Sequence, residues 1–171
     1  GFGTGDGNPL YYKDRLTRKN GTRRQTYTMG FTLDIIPQKL VLNGNASLYH
    51  YDHQEEEFNK KYQTQNSNTP NTTRQARAKY LKRNQQQVSV TLSYTDTFAD
   101  RHNLDVMFGG EYFNHHEFLF DATTEGSPLD DIATLNVGAT RTKTTSEKTG
   151  YRILSAFGRA NYNYDMKYLL T

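Results

Sequence analysis

Two clusters hold the side chains best suited to chemistry: His115-His116-Glu117, and His53 with Glu55, Glu56 and Glu57. Imidazole beside carboxylate is the raw material of a metal site or a general acid–base pair. The spacing argues against both uses. Adjacent residues of a strand point to opposite faces, so His115 and His116 do not easily share one ion, and the acidic run after His53 reads as charge on a solvated loop. Asp52, His53, His115 and His116 fall near the bases of polar loops, but no nucleophile with an orienting partner accompanies them, so no catalytic residue and no enzymatic activity is expected. Gly1 to Gly7 carries alternating glycines, yet no strand precedes it, no helix follows and Gly-Lys-Ser/Thr is absent, which makes it a loop and not a phosphate cradle. Arg74, Arg77, Lys79, Lys82 and Arg83 form a basic cluster that suits the phosphates of lipopolysaccharide or an acidic ligand, although a solvated loop is the simpler reading. Without interleaved aromatics, and with a net charge of only +3, it offers no platform for nucleic acid. No cofactor is implied.

The elements around these residues carry more information than the residues themselves. The mean hydropathy of −0.90 is too low for a helical membrane protein. The 13 Tyr and 9 Phe, with only 4 Pro, are too aromatic a complement for a disordered chain. No stretch reaches the roughly 18 apolar residues of a spanning helix. Membrane strands escape that test, because lipid-facing and lumen-facing residues alternate along them. The opening Gly-Phe-Gly-Thr-Gly-Asp-Gly has no charged region followed by an apolar one, so a signal peptide was removed or the chain is an internal piece. With no Cys, disulfides and thiolate metal sites are excluded. Nothing divides the chain, and residues 1–171 are read as part of one β-barrel domain.

Period-two alternation marks five strands and the start of a sixth. Between about Arg24 and Ile36, one face takes Tyr27, Met29, Phe31, Leu33 and Ile35, and the other Thr28, Thr32 and Asp34. After a reversal at Ile36-Pro37-Gln38-Lys39, Leu40, Leu42 and Leu48 oppose Asn43, Asn45 and Ser47. A polar tract from about Asp52 to Gln87 reads as a long loop, within which Thr73 to Gln85 suits a short helix or an extension of the flanking strands. The third strand sets Val88, Val90, Leu92 and Tyr94 against Ser89, Thr91 and Ser93. It turns at Ala99-Asp100-Arg101-His102. The fourth sets Leu104, Val106, Phe108 and Tyr112 against Asp105 and Glu111. A second polar stretch, from about Asp121 to Lys148, is again a long loop. The fifth, about Thr149 to Tyr164, sets Leu154 and Tyr162 against Arg159 and Asn161, and Tyr164-Asp165-Met166-Lys167 turns into Tyr168-Leu169-Leu170.

Short and long connections therefore alternate, as they do in outer-membrane barrels with tight periplasmic turns and long extracellular loops. The fold class expected is all-β, an antiparallel up-and-down transmembrane barrel segment. Its lipid-facing stripe is the apolar set just named. Its lumen lining is Thr28, Thr32, Asp34, Asn43, Asn45, Ser47, Ser89, Thr91, Ser93, Asp105, Glu111, Arg159 and Asn161. Tyr94, Tyr162, Tyr164 and Tyr168 near the turns, and Tyr27 and Tyr112 near the loops, suit two aromatic girdles. A soluble β-rich binding module is the competing reading, but its strands average five or six residues and its loops are less unequal. An outer-membrane enzyme is the third.

The stretch Leu154-Ser155-Ala156-Phe157-Gly158-Arg159-Ala160-Asn161-Tyr162-Asn163-Tyr164-Asp165-Met166-Lys167-Tyr168-Leu169-Leu170-Thr171 closely resembles a strand-turn-strand signature of SusC/RagA-type TonB-dependent outer-membrane transporters. Ala156 stands where that signature usually has an aromatic. The resemblance implies a barrel of about 22 strands with an N-terminal plug. It also implies an outer-membrane location amid lipid and lipopolysaccharide, and import of glycans, peptides or other large nutrients. The partners implied are a SusD-like surface lipoprotein and the TonB complex, the latter acting through an N-terminal region that this stretch of chain lacks. Six strands do not close a barrel, because unpaired strand edges in lipid leave backbone groups unsatisfied.

Overall fold

The computed structural model describes residues 15–61, 73–165 and 167–170. It is all-β apart from one 3-10 turn. Six antiparallel strands follow one another across a single up-and-down sheet, in the order β1-β2-β3-β4-β5-β6. They are β1 (Leu16–Ile36), β2 (Leu40–Asn59), β3 (Gln75–Phe98), β4 (His102–Glu125), β5 (Thr140–Tyr164) and β6 (Tyr168–Leu170). Five strands and the beginning of a sixth were expected and are present, in the expected order.

Their length was not expected. Alternation of apolar with polar residues marks only the parts of the strands that carry an apolar face, whereas β2 runs on to Asn59 and β3 begins at Gln75. Most of the tract read as loop from Asp52 to Gln87 is therefore strand, and of the two options for Thr73 to Gln85 the strand extension holds. Likewise β4 continues to Glu125 and β5 starts at Thr140, so the second loop shrinks to residues 126–139. These extensions are mostly polar, and their buried apolar residues Phe58, Ala76 and Ala122 are too sparse for a pattern built on hydrophobicity to find.

Three tight turns hold the other strand ends. Lys39 N–H donates to Ile36 C=O at 3.0 Å, Arg101 N–H to Phe98 C=O at 3.2 Å, and Lys167 N–H to Tyr164 C=O at 2.9 Å. Pro37 presets the first turn, leaving Gln38 in the left-handed region at φ 63°. In the second, Ala99 and Asp100 both have positive φ, at 49° and 56°, the requirement of a two-residue turn whose twist matches its strands. Alanine is a poor choice there, since left-handed backbone costs an L residue about 1–2 kcal/mol. Ala99→Gly is expected to stabilise the hairpin by about 0.5–1 kcal/mol after the added chain entropy of glycine is counted. Urea unfolding of the full-length protein from lipid vesicles checks this, and a loss of stability would contradict the turn assignment.

The chain divides into two compact units. One, here the striped unit, comprises the described parts of Gln25–His50, Asn84–His116 and Gly150–Thr171; the other, the charged unit, comprises those of Gly1–Arg24, Tyr51–Arg83 and Glu117–Thr149.

Candidate functional site

In the striped unit the two faces of the sheet differ in kind. One presents apolar side chains to the surroundings. Tyr27, Met29, Phe31, Leu33, Leu48, Val88, Val90, Leu92, Phe108, Tyr112, Leu154 and Tyr162 are all exposed, Met29 at 73% and Leu154 at 83%. Leu40, Leu42, Tyr94, Leu104 and Val106 are half-buried among them. Exposed apolar surface on this scale marks a binding face or a membrane face, because a soluble monomer rarely leaves so large a patch uncovered. Phe31 lies over Gly44, where a Cβ would come within 2.2 Å of the ring, so the aromatic covers backbone that only glycine leaves open. At the turn end the stripe gives way to amphipathic groups. Tyr94 donates its hydroxyl to Asp96 at 2.9 Å, Lys39 pairs with Asp96 at 2.9 Å, and His102 packs on Tyr162 and Tyr164 at centroid distances of 6.0 and 4.9 Å.

The opposite face of this unit is mainly polar and cross-bonded from strand to strand, with Phe157 lying over Gly109 as an apolar member. Thr32 donates to Asn43 at 2.8 Å, Gln87 to Glu111 at 2.8 Å, and Thr95 to Asp105 at 3.2 Å. Asp105 also accepts from Asn161 at 3.3 Å and lies 3.6 Å from Arg159. A shallow hollow on this face is lined by Gly30, Thr32, Asn43, Asn45, Ser89 and Thr91 among others. Eight of the thirteen polar residues singled out from the sequence thus share a hydrogen bond, an ion pair or the hollow, with Glu111 as a ninth through Gln87. Thr28, Asp34, Ser47 and Ser93 fall on the same face by strand alternation.

The charged unit holds what the sequence reading missed. Arg18 on β1 pairs with Glu57 at 2.5 Å and with Glu55 at 3.6 Å, both on β2. Arg77 on β3 feels the charge of both glutamates and grips Asp121 on β4 with two bonds of 3.0 Å. Lys143 on β5 reaches the same carboxylate at 2.7 Å. Five strands therefore contribute charges in the order plus, minus, plus, minus, plus. Asp121 is the buried centre, 5% exposed, and its hydrogen bonds from Arg77, outweighing the penalty of burial, hold it well below the usual carboxylate range. A second rung joins Arg83 to Glu117 at 2.7 Å. The Arg24 and Arg83 guanidiniums both lie over the Tyr51 ring, at 5.5 and 5.7 Å.

Two readings of the sequence change here. The basic cluster is not free loop charge, because Arg77, Lys79, Lys82 and Arg83 lie on β3 and Arg74 directly precedes it, and Arg74, Arg77 and Arg83 each face a carboxylate partner. Nor is the His53 acidic run a free loop: it lies on β2, with His53 2.9 Å from Thr22 and Glu57 bound by Arg18. The signal lay in period two of charge instead of apolarity, with Glu55 and Glu57 alternating on one strand and Arg77, which feels both, on the next. His115 and His116 do point apart. His115 stacks on Tyr151 at 5.0 Å and lies 3.2 Å from Gln85, while His116 sits against the backbone at Gly150.

The connection 126–139 is a folded segment pinned to the strands. Gly126, at φ 82°, donates its N–H to Arg74 C=O at 2.9 Å, Arg74 pairs with Asp130, and Lys61 N–H donates to the same carboxylate at 3.3 Å. Asp130 is held below its ordinary pKa by Arg74 first and the Lys61 amide second.

No protein-family model matches this sequence, and no curated protein matches it. Solved structures do. The chain is similar to the RagAB peptide transporter, with a TM-score of 0.79 and 18% identity over 92% of this chain and 17% of that one. The "open-open" and "closed-closed" states of the RagAB peptide importer each give a TM-score of 0.79 at 18% identity over 91% of this chain. At such identity the likeness is one of fold. The chain spans about a sixth of the length of those it matches.

Proposed function

We propose that this chain is a stretch of the barrel wall of a TonB-dependent outer-membrane transporter of SusC/RagA type, which imports peptides, glycans or other large nutrients. The observation that carries the reading is the division of the striped unit into an exposed apolar face and a cross-bonded polar face, on a sheet whose fold matches part of a peptide transporter. In this reading the apolar face meets lipid, and the polar face, from Thr28 to Asn161, lines the interior. The tight turns lie in the periplasm. A crossing needs only about 9–11 residues, so strands of 20 to 25 residues are longer than the apolar band requires, and the ion pairs of the charged unit suit water and not lipid. The aromatic and charged groups at the turn end, Tyr94, His102, Tyr162 and Tyr164, suit the interface. A surface lipoprotein of SusD type and the TonB complex are the partners this reading calls for, and lipopolysaccharide surrounds it. The chain has no catalytic part in the process.

A strain lacking the full-length gene tests this. It is expected to lose uptake of at least one class from a defined mixture of oligopeptides and oligosaccharides, with recovery on complementation and loss again when the proton gradient is collapsed. Retained uptake of every class would refute the proposal. A soluble binding module would instead remain monodisperse without detergent, which the exposed stripe argues against.

A further inference from the structure

On the face of the charged unit opposite its ion ladder, a groove of ≈ 340 Å³ is lined by Gly21, Thr22, Arg23, Asp52, Gln54 and Tyr80. This lies at the lower end of the roughly 300–1,000 Å³ typical of small-molecule sites. Its chemistry is specific. Asp52 accepts the Tyr80 hydroxyl on Oδ1 at 3.0 Å, which fixes the carboxylate and leaves its other oxygen free to accept. Arg23 lines the same groove with no ion pair among the described residues, presenting a planar fork of donors. Gln54 adds both a donor and an acceptor. The Tyr80 ring, tilted against Phe118 at 6.3 Å, supplies an apolar flank. At Gly21 an added Cβ would meet nothing within 4 Å, so the groove is open there and the backbone is unstrained.

We infer that this groove binds a neutral sugar ring through a vicinal diol. Each hydroxyl of a diol donates one hydrogen bond and accepts others, so a carboxylate and a guanidinium side by side satisfy it in both senses, while the C–H face of the ring lies on an aromatic. A bare phosphate fits worse, because Asp52 offsets the charge of Arg23. An apolar ligand fits worse still, since it would strand Asp52, Gln54 and Arg23 without partners. The inference goes beyond the transport reading, since a surface saccharide site serves equally a free oligosaccharide or the sugar of a glycolipid in the surrounding leaflet.

The full-length protein distinguishes these sources. A printed array of neutral oligosaccharides tests the free sugar, and flotation with vesicles carrying purified lipopolysaccharide tests the lipid-borne one. Binding in either arm that falls at least tenfold in both Gly21→Tyr, which fills the open end, and Asp52→Asn, which removes the charged acceptor, supports the site and names its source. Gly21→Tyr enters open space and is expected to keep the wild-type melting temperature, so a loss of binding there reports the groove and not unfolding. Absence of binding in both arms, or binding that neither substitution weakens, overturns the proposal. Neither result bears on nutrient uptake, which the gene deletion reads separately.

Discussion

Leu92→Arg and Phe108→Arg are each expected to destabilise the full-length protein in lipid vesicles by about 2–4 kcal/mol, the cost of arginine near the middle of the apolar band. Thr91→Arg, one residue away on the other face, is expected to cost well under half as much, because a wet interior keeps the guanidinium hydrated. Urea unfolding from vesicles of defined thickness reads all three. The contrast between neighbours matters more than any single value, since strand propensity and chain length are nearly the same at Leu92 and Thr91. Equal losses would mean that the apolar face does not meet lipid, and the membrane reading would fail with it. The loss should also shrink when Arg replaces Tyr27 or Tyr112, which fall near the ends of the stripe.

Asp121→Asn is expected to be the most damaging single change in the charged unit, at about 2–3 kcal/mol. Removing one partner of a buried pair costs about 3–5 kcal/mol. Here Arg77 and Lys143 are 35% and 52% exposed and can recover hydration, which lowers the figure. The pH dependence has a definite sign. A carboxylate whose pKa is depressed by folding contributes stability that is complete above its unfolded value, about 3.9, and declines as pH falls toward the lower folded one. Wild type should therefore be flat from neutrality down to about pH 4 and weaken below it, while Asp121→Asn lacks that part of the acid loss. Melting temperatures of both proteins from pH 7 to pH 2 decide the matter. Parallel acid profiles would mean that Asp121 is not the group being titrated.

How much of this was legible in the sequence depends on which signal each residue carries. Tyr27 through Ile35 and Val88 through Tyr94 alternate apolar with polar, so the striped unit could be read face by face. Pro37 and Asp100 marked the turns, because few residues besides proline, glycine, asparagine and aspartate belong there. The charged unit was hidden for a physical reason. Its ladder face is made of charge, so Glu55, Arg77 and Asp121 resemble loop residues until their partners across the sheet are known, and the buried Phe58, Ala76 and Ala122 on the same strands are too few to show as a stripe. Opposite charges at period two on successive segments were visible in principle, but pairing them requires the strand order. The groove was beyond reach for the same reason, since Arg23, Asp52 and Tyr80 come from three strands.

The ion ladder also bears on what a ligand meets at the charged unit. A loop that closes on its ligand gives up conformational freedom at the moment of capture, about 0.5–1.5 kcal/mol for each side chain it immobilises. Arg18, Glu57, Arg77, Asp121 and Lys143 are already held by one another and by paired backbone. A molecule arriving on that face meets side chains already ordered, so little of its binding energy goes to ordering the wall.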